Sequence, residues 1–182
     1  YALPAASPLI IPSDDAYALD MAMRTSAQVV SYGATDDATL RIRSAGFYEN
    51  DGKVVGMEAK VTMGSEHGSL VVKGSVGMTQ ILPATAALAT ARAFSIPFTE
   101  ALKALESYEP PPGRGRLLTG KNNSIIIDDS YNASPAAVEE ALITLKTFPH
   151  AGRRIAVLGD MLELGRYSVM EHERIGALAR DS

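Results

Sequence analysis

Cysteine is absent from this chain, which excludes disulfides and thiolate metal sites. Histidine is scarce: His67, His150 and His172 stand far apart, and no two have the spacing of a metal-ligand pair. Positive charge is not in excess. Lys and Arg number 17 against 21 Asp and Glu, and a net charge of −4 provides no basic field for nucleic acid. No apolar run reaches the roughly 20 residues needed to span a bilayer, and no long low-complexity tract occurs. The opening Tyr1-Ala2-Leu3-Pro4 has neither an initiator Met nor the charged-then-apolar pattern of a signal peptide. Arg180-Asp181-Ser182 follows soon after a helical pattern starts, so both ends read as cuts. What remains is 182 residues, 46% hydrophobic and 21% charged, enough for one or two globular cores.

The first half mixes helix and strand signals. Leu9-Ile10-Ile11 reads as a short buried strand, and Asp14-Asp15 as the mouth of a helix reaching about Arg24. Gln28 to Tyr32 is a second strand, closed by Gly33. From Thr39 to Lys73 the pattern is antiparallel, with period-two alternation at Leu40 to Arg43 and a tight turn at Asn50-Asp51-Gly52-Lys53. Small residues at helical spacing (Ala84, Ala87, Leu88, Ala91) predict a closely packing helix from Ile81 to Phe94. A shorter helix starts at Thr99-Glu100.

Glu109-Pro110-Pro111-Pro112-Gly113-Arg114-Gly115-Arg116 reads as a stiff connection relieved by two glycines. It is taken as the boundary between a first unit, 1–108, and a second, 109–182. Beyond it the expected order is strand 124–128, helix 135–147, strand 153–158, turn 159–166 and a helix from Val169. That alternation implies an α/β fold with a parallel sheet. Val138, Ala141, Leu142 and Leu145 mark the buried face of the middle helix.

The turn Asp128-Asp129-Ser130-Tyr131-Asn132-Ala133-Ser134 leaves a strand and enters a helix, with Ser134 as N-cap and Pro135 at the first helical position. This is the edge where α/β sheets bind ligands. Its carboxylates can accept from sugar hydroxyls, or they can simply satisfy turn amides. Arg114 could reach a phosphate with its fork, or be a solvated linker charge. A second acidic turn, Gly159 to Gly165, should bring Asp160 and Glu163 to the same edge. His172 reads as a surface or capping histidine. Gly115 to Asn122 nearly spells a phosphate-binding loop, but it precedes a strand and lacks the final Ser or Thr, so a hairpin or linker is expected.

Ile127-Asp128-Asp129-Ser130-Tyr131-Asn132-Ala133-Ser134-Pro135, with Ala156-Val157-Leu158-Gly159-Asp160-Met161-Leu162-Glu163-Leu164-Gly165, resembles the Mur ligases. The likeness is strong over 109–182 and looser before it. It implies the end of a central ATPase domain (1–108) followed by the first part of a Rossmann-like C-terminal domain, both incomplete. The branch it resembles joins D-alanyl-D-alanine to a UDP-N-acetylmuramoyl-tripeptide, using ATP and Mg²⁺ and passing through an acyl phosphate.

In that resemblance Arg114 is the catalytic hinge arginine on the nucleotide phosphates. Asp129 lies near the ribose, with Asn132 and Gln80 also toward ATP. Tyr131, Asp160 and Glu163 face the substrates. No metal ligand falls in this chain: the phosphate loop and Mg²⁺ ligands would lie upstream of residue 1, so the chain alone is not expected to turn over ATP. Thr79-Gln80 stands where the family has His-Asn, and Pro83 replaces a second Asn. A cytoplasmic monomer without nucleic-acid or membrane partners is implied. Two alternatives stay open: another Mur-type or folylpolyglutamate-type ligase, or a non-catalytic module that keeps the fold.

Overall fold

The computed structural model describes residues 3–181. Five strands form one mixed sheet: β1 (Pro8–Pro12), β2 (Gln28–Gly33), β3 (Leu40–Asn50), β4 (Lys53–Met63) and β5 (Glu66–Lys73), in that spatial order. The first two pairings are parallel and the last two antiparallel. The outer parallel pair and the first antiparallel pair follow from their connections. Between β1 and β2 runs a helix, α1 (Ala16–Met23), long enough for a parallel crossover. Between β3 and β4 stands the tight turn, where Asp51 and Gly52 have φ of 50° and 71°. Positive φ at both central residues matches the turn to the strands' twist.

Helix α2 (Met78–Ala93) covers this sheet and starts three residues earlier than its apolar spacing suggests. Gly77, at φ 104°, makes the sharp approach, and Pro83 lies inside the helix, in its second turn, where it offers no N–H to the carbonyl four residues back. Ile81, Leu88 and Ala89 are fully buried against Leu40, Leu70 and Val72. The alanines let helix and sheet approach closely, and each large aliphatic removed from water is worth ~1.5–3 kcal/mol. A shorter helix, α3 (Phe98–Leu105), adds Phe98 and Leu102 to the same core.

Strands β6 (Arg116–Thr119) and β7 (Ile125–Asp128) form an antiparallel hairpin. The near phosphate-loop run is therefore a hairpin. Helix α4 (Pro135–Thr147) begins where expected, with Ser134 Oγ accepting from the Ala137 N–H at 3.3 Å. It buries Leu142 and Thr144, while Val138, Ala141 and Leu145 are half-buried. Helix α5 (Ser168–Asp181) packs on it through Ile175, and Leu142, Met161 and Ile175 make a second small core.

One finding departs from the sequence reading, and one adds to it. The apolar run 153–158 joins no ladder: among the described residues, β7 pairs only with β6. A parallel strand gets its hydrogen bonds from a neighbour distant in sequence, and no such neighbour flanks this run. The 109 boundary is also crossed by packing. Leu117, Ile127 and buried Phe148 belong to the first core, and the Phe148 ring meets Phe47 edge-on at 5.3 Å. Arg154 holds Phe148 there, donating from Nε to the Leu145 carbonyl at 2.9 Å and from Nη2 to the Phe148 carbonyl at 2.9 Å. These bonds satisfy helix-end carbonyls that would otherwise lack partners.

Candidate functional site

Gly113 and Gly115 build the site. Both lie at positive φ, 73° and 64°. A Cβ on Gly115 would stand 2.5 Å from the Val76 carbonyl oxygen, and one on Gly113 would stand 2.9 Å from the Tyr131 nitrogen. The backbone therefore needs glycine twice. The hinge is pinned on both sides. The Val76 N–H donates to the Gly115 carbonyl at 2.9 Å, and the fully buried Ser75 hydroxyl donates to the Arg114 carbonyl at 2.6 Å. Opposite, the Tyr131 N–H donates to the Gly113 carbonyl at 3.2 Å, and the Gly115 N–H donates to Asp129 Oδ1 at 2.9 Å.

Arg114 thus has a fixed main chain and an exposed side chain. Its guanidinium lies 4.2 Å over the ring of Tyr131, itself exposed. It makes no salt bridge among the described residues. At an exposed position that stacking is worth ~0.5–1 kcal/mol, enough to bias the fork's direction without trapping it.

The two neighbouring carboxylates differ. Asp128 Oδ1 accepts from the Ser130 hydroxyl at 2.6 Å and the Ser130 N–H at 3.2 Å. The Ser130 hydroxyl bond, then its amide bond, hold Asp128 below the ordinary carboxylate range. This residue closes the turn. Asp129 is pushed upward, chiefly by burial, against the opposing Gly115 hydrogen bond and the Arg114 charge. One oxygen is used by Gly115, which leaves the other as an acceptor.

The sign of each effect on stability follows. Asp128 stabilises above the unfolded carboxylate range, and that contribution is lost as pH falls through its lowered folded value. Asp129 binds its proton more tightly when folded, so stability falls as pH rises from the unfolded to the raised folded value, and the cost is complete at neutral pH. Asp129→Asn keeps an acceptor for the Gly115 amide and removes the charge. It is expected to be at least as stable as the parent at pH 7, with the difference vanishing near pH 3. Urea unfolding at both pH values measures this.

Gln80 is almost fully buried, 8% exposed, and its Nε2 lies beneath Gly115, 3.4 Å from Thr79 Oγ1. The structure thus brings Gln80, Arg114, Asp129 and Tyr131 to one hinge, with Gln80 under it. Asn132 is exposed beside Tyr131. The second acidic turn adjoins the first, because Met161 and Leu164 share a cluster with Ala133. Glu163, at φ 64°, lines a hollow of about 450 Å³ with Pro135, Glu139, Tyr167 and Arg174. Asp160 is exposed and carries no ion pair among the described residues.

His172 is structural: its Nε2 accepts from the Met161 N–H at 3.0 Å, and Nδ1 lies 2.8 Å from the Ser168 carbonyl. The acceptor role of Nε2 places the ring proton on Nδ1. Ser75 and Arg154 are contributors the sequence did not reveal, since neither sits in a motif and both act through main-chain carbonyls. Among the described residues no group of three or more His, Asp or Glu could hold a metal ion. No helix there is long and apolar enough to cross a membrane.

The fold and the site together are an α/β chain with an arginine-bearing glycine hinge against an Asp-Ser-Tyr-Asn turn. The family description "Mur ligase, glutamate ligase domain" matches residues 113–182, and that segment belongs to the Mur ligase family. Its curated relatives include UDP-N-acetylmuramoyl-tripeptide–D-alanyl-D-alanine ligases. That of Mycobacterium bovis is 30% identical over 185 residues, 98% of this chain and 35% of the relative. That of Escherichia coli is 36% identical over 114 residues, 59% of this chain and 25% of the relative. The chain spans about a third or less of the length of these relatives.

Among solved structures, MurF from Acinetobacter baumannii superposes with a TM-score of 0.82 at 24% identity, covering 98% of this chain and 37% of that one. MurF ligase from Thermotoga maritima in complex with ADP gives 0.79 at 24% identity, covering 96% and 38%. These likenesses establish the α/β fold.

Proposed function

We propose that this chain is one wall of the nucleotide cleft of an ATP-dependent ligase that adds D-alanyl-D-alanine to a UDP-N-acetylmuramoyl-tripeptide. The observation that carries the reading is the pinned hinge. It presents an exposed, unpaired guanidinium beside a carboxylate with one oxygen unspent. Those groups suit a nucleotide: the fork complements phosphate oxygens, and Asp129 accepts from ribose hydroxyls. Arg114 is the catalytic residue, offsetting charge that develops during phosphoryl transfer. Asn132 and Gln80 complete the nucleotide side, while Tyr131, Asp160 and Glu163 line the substrate side. Residues 1–108 are the later part of the ATP-binding domain and 109–182 the first part of the C-terminal domain. ATP supplies the activated carboxylate, and Mg²⁺ is expected to be held by ligands outside this chain. A cytoplasmic location follows from the same reading.

The test is ADP release. The purified 182-residue chain is expected to release none. The protein carrying it is expected to do so only with both the tripeptide precursor and D-alanyl-D-alanine present. Release with free glutamate or another amino acid instead would move the chain to a different ligase branch. The burial of Gln80 and the presence of Pro83 favour a second reading, a binding module that keeps the fold. That module would bind no ATP in a titration.

A further inference from the structure

Ser75 lies between β5 and α2, in the run Gly74-Ser75-Val76-Gly77, and is fully buried, out of reach of any ligand. This run lies antiparallel to the hinge. The Val76 N–H donates to the Gly115 carbonyl and the Leu117 N–H to the Gly74 carbonyl, both at 2.9 Å, and Ser75 stands opposite Arg116. That short ladder gives the Arg114 carbonyl no main-chain donor, and the Ser75 hydroxyl supplies one at 2.6 Å. The other end of the same peptide unit, the Gly115 N–H, donates to Asp129 Oδ1. One peptide is thus held at both ends by side chains, from the two sides of the hinge. Its own backbone resists rotation weakly, because glycine stands on each side of Arg114. A turned peptide would point a carbonyl at the Asp129 carboxylate and lose both bonds.

We propose that Ser75 is a positioning residue: its hydroxyl fixes the Arg114–Gly115 peptide and so aims the Arg114 guanidinium beside Asp129. The inference rests on the nucleotide reading of the hinge and adds to it a residue that no substrate touches. A buried carbonyl left without a donor is costly. Without the hydroxyl the peptide turns toward other donors, and the fraction of molecules with Arg114 correctly aimed falls, and turnover with it.

Steady-state kinetics of the protein that carries this chain test it. Ser75→Ala should lower kcat at least ~tenfold, the weight of one buried hydrogen bond. Ser75→Cys keeps the bulk with a weaker donor and should show the same direction, which covers an alanine variant that does not fold. In the Arg114→Ala background, Ser75→Ala should cost less than ~twofold, because residues that act through one group are not additive. Thr85→Val removes an equally buried hydroxyl, bonded to the Ile81 carbonyl at 2.8 Å within α2. It should lower the unfolding midpoint and leave kcat unchanged. A parent-like kcat in folded Ser75→Ala, or in Ser75→Cys where only that variant folds, overturns the proposal. So does a loss of equal size with and without Arg114, a loss matched by Thr85→Val, or the failure of both Ser75 variants to fold, which would make the residue structural. A parent without turnover, or one indifferent to Arg114→Ala, would instead bring down the nucleotide reading and this inference with it.

Discussion

In the protein that carries this chain, Arg114→Ala is expected to lower turnover by ~10³, the lower end of what arginines supply in phosphoryl transfer. The local geometry sets the expectation. The Arg114 carbonyl is clamped by buried Ser75, and the flanking glycines are clamped by Val76, Tyr131 and Asp129. The guanidinium is therefore delivered to a fixed place, while its head stays exposed and unpaired. Truncation removes the head and leaves the clamp, so the melting temperature should hardly move. Arg114→Lys keeps the charge but loses the fork and most of the stacking on Tyr131, and should recover only part of the rate. Steady-state kinetics with ATP varied separates the possibilities. A loss in kcat with little change in KM marks a group acting mainly in the transition state. An unchanged rate would remove Arg114 from the mechanism.

Local chemistry made some of this legible in the sequence. Ser134-Pro135 announces the start of α4 because both residues act within one turn. Asn50 to Lys53 announces a hairpin because its two positive-φ residues have little alternative. The polar turn after β7 was visible as a candidate site, but the split between its carboxylates was not. Asp128 closes on Ser130, two residues away, whereas the partner of Asp129 is Gly115, fourteen positions back. The place of Gln80 rests on analogy of amide chemistry, and its burial under Gly115 is a tertiary fact that no spacing carries. The run 153–158 has the composition of a strand, yet a ladder requires a partner, which composition does not specify. At the hinge, three prolines and two glycines suggest a stiff connection relieved by glycine, but the glycines are there to let the backbone dock.

Phe148→Ala is the stability prediction with the largest effect, ~3–5 kcal/mol. Phe148 follows the last turn of α4 and precedes Pro149, so no helical period marks it as core. It is nonetheless only 5% exposed and packs edge-on against Phe47 of β3, in the cluster that holds Leu40, Leu70 and Leu88. Removing the ring leaves a cavity on the sheet and frees the end of α4 that Arg154 secures. Because that cluster spans residues on both sides of the hinge, the loss should not be confined to the second half. A single denaturant transition at a lower midpoint is expected, with the slope kept, since the same surface unfolds together. Phe148→Leu retains much of the volume and should cost less. Two separate transitions, with the one reporting on the five-stranded sheet unmoved, would show that the halves fold independently and that Phe148 serves only the second.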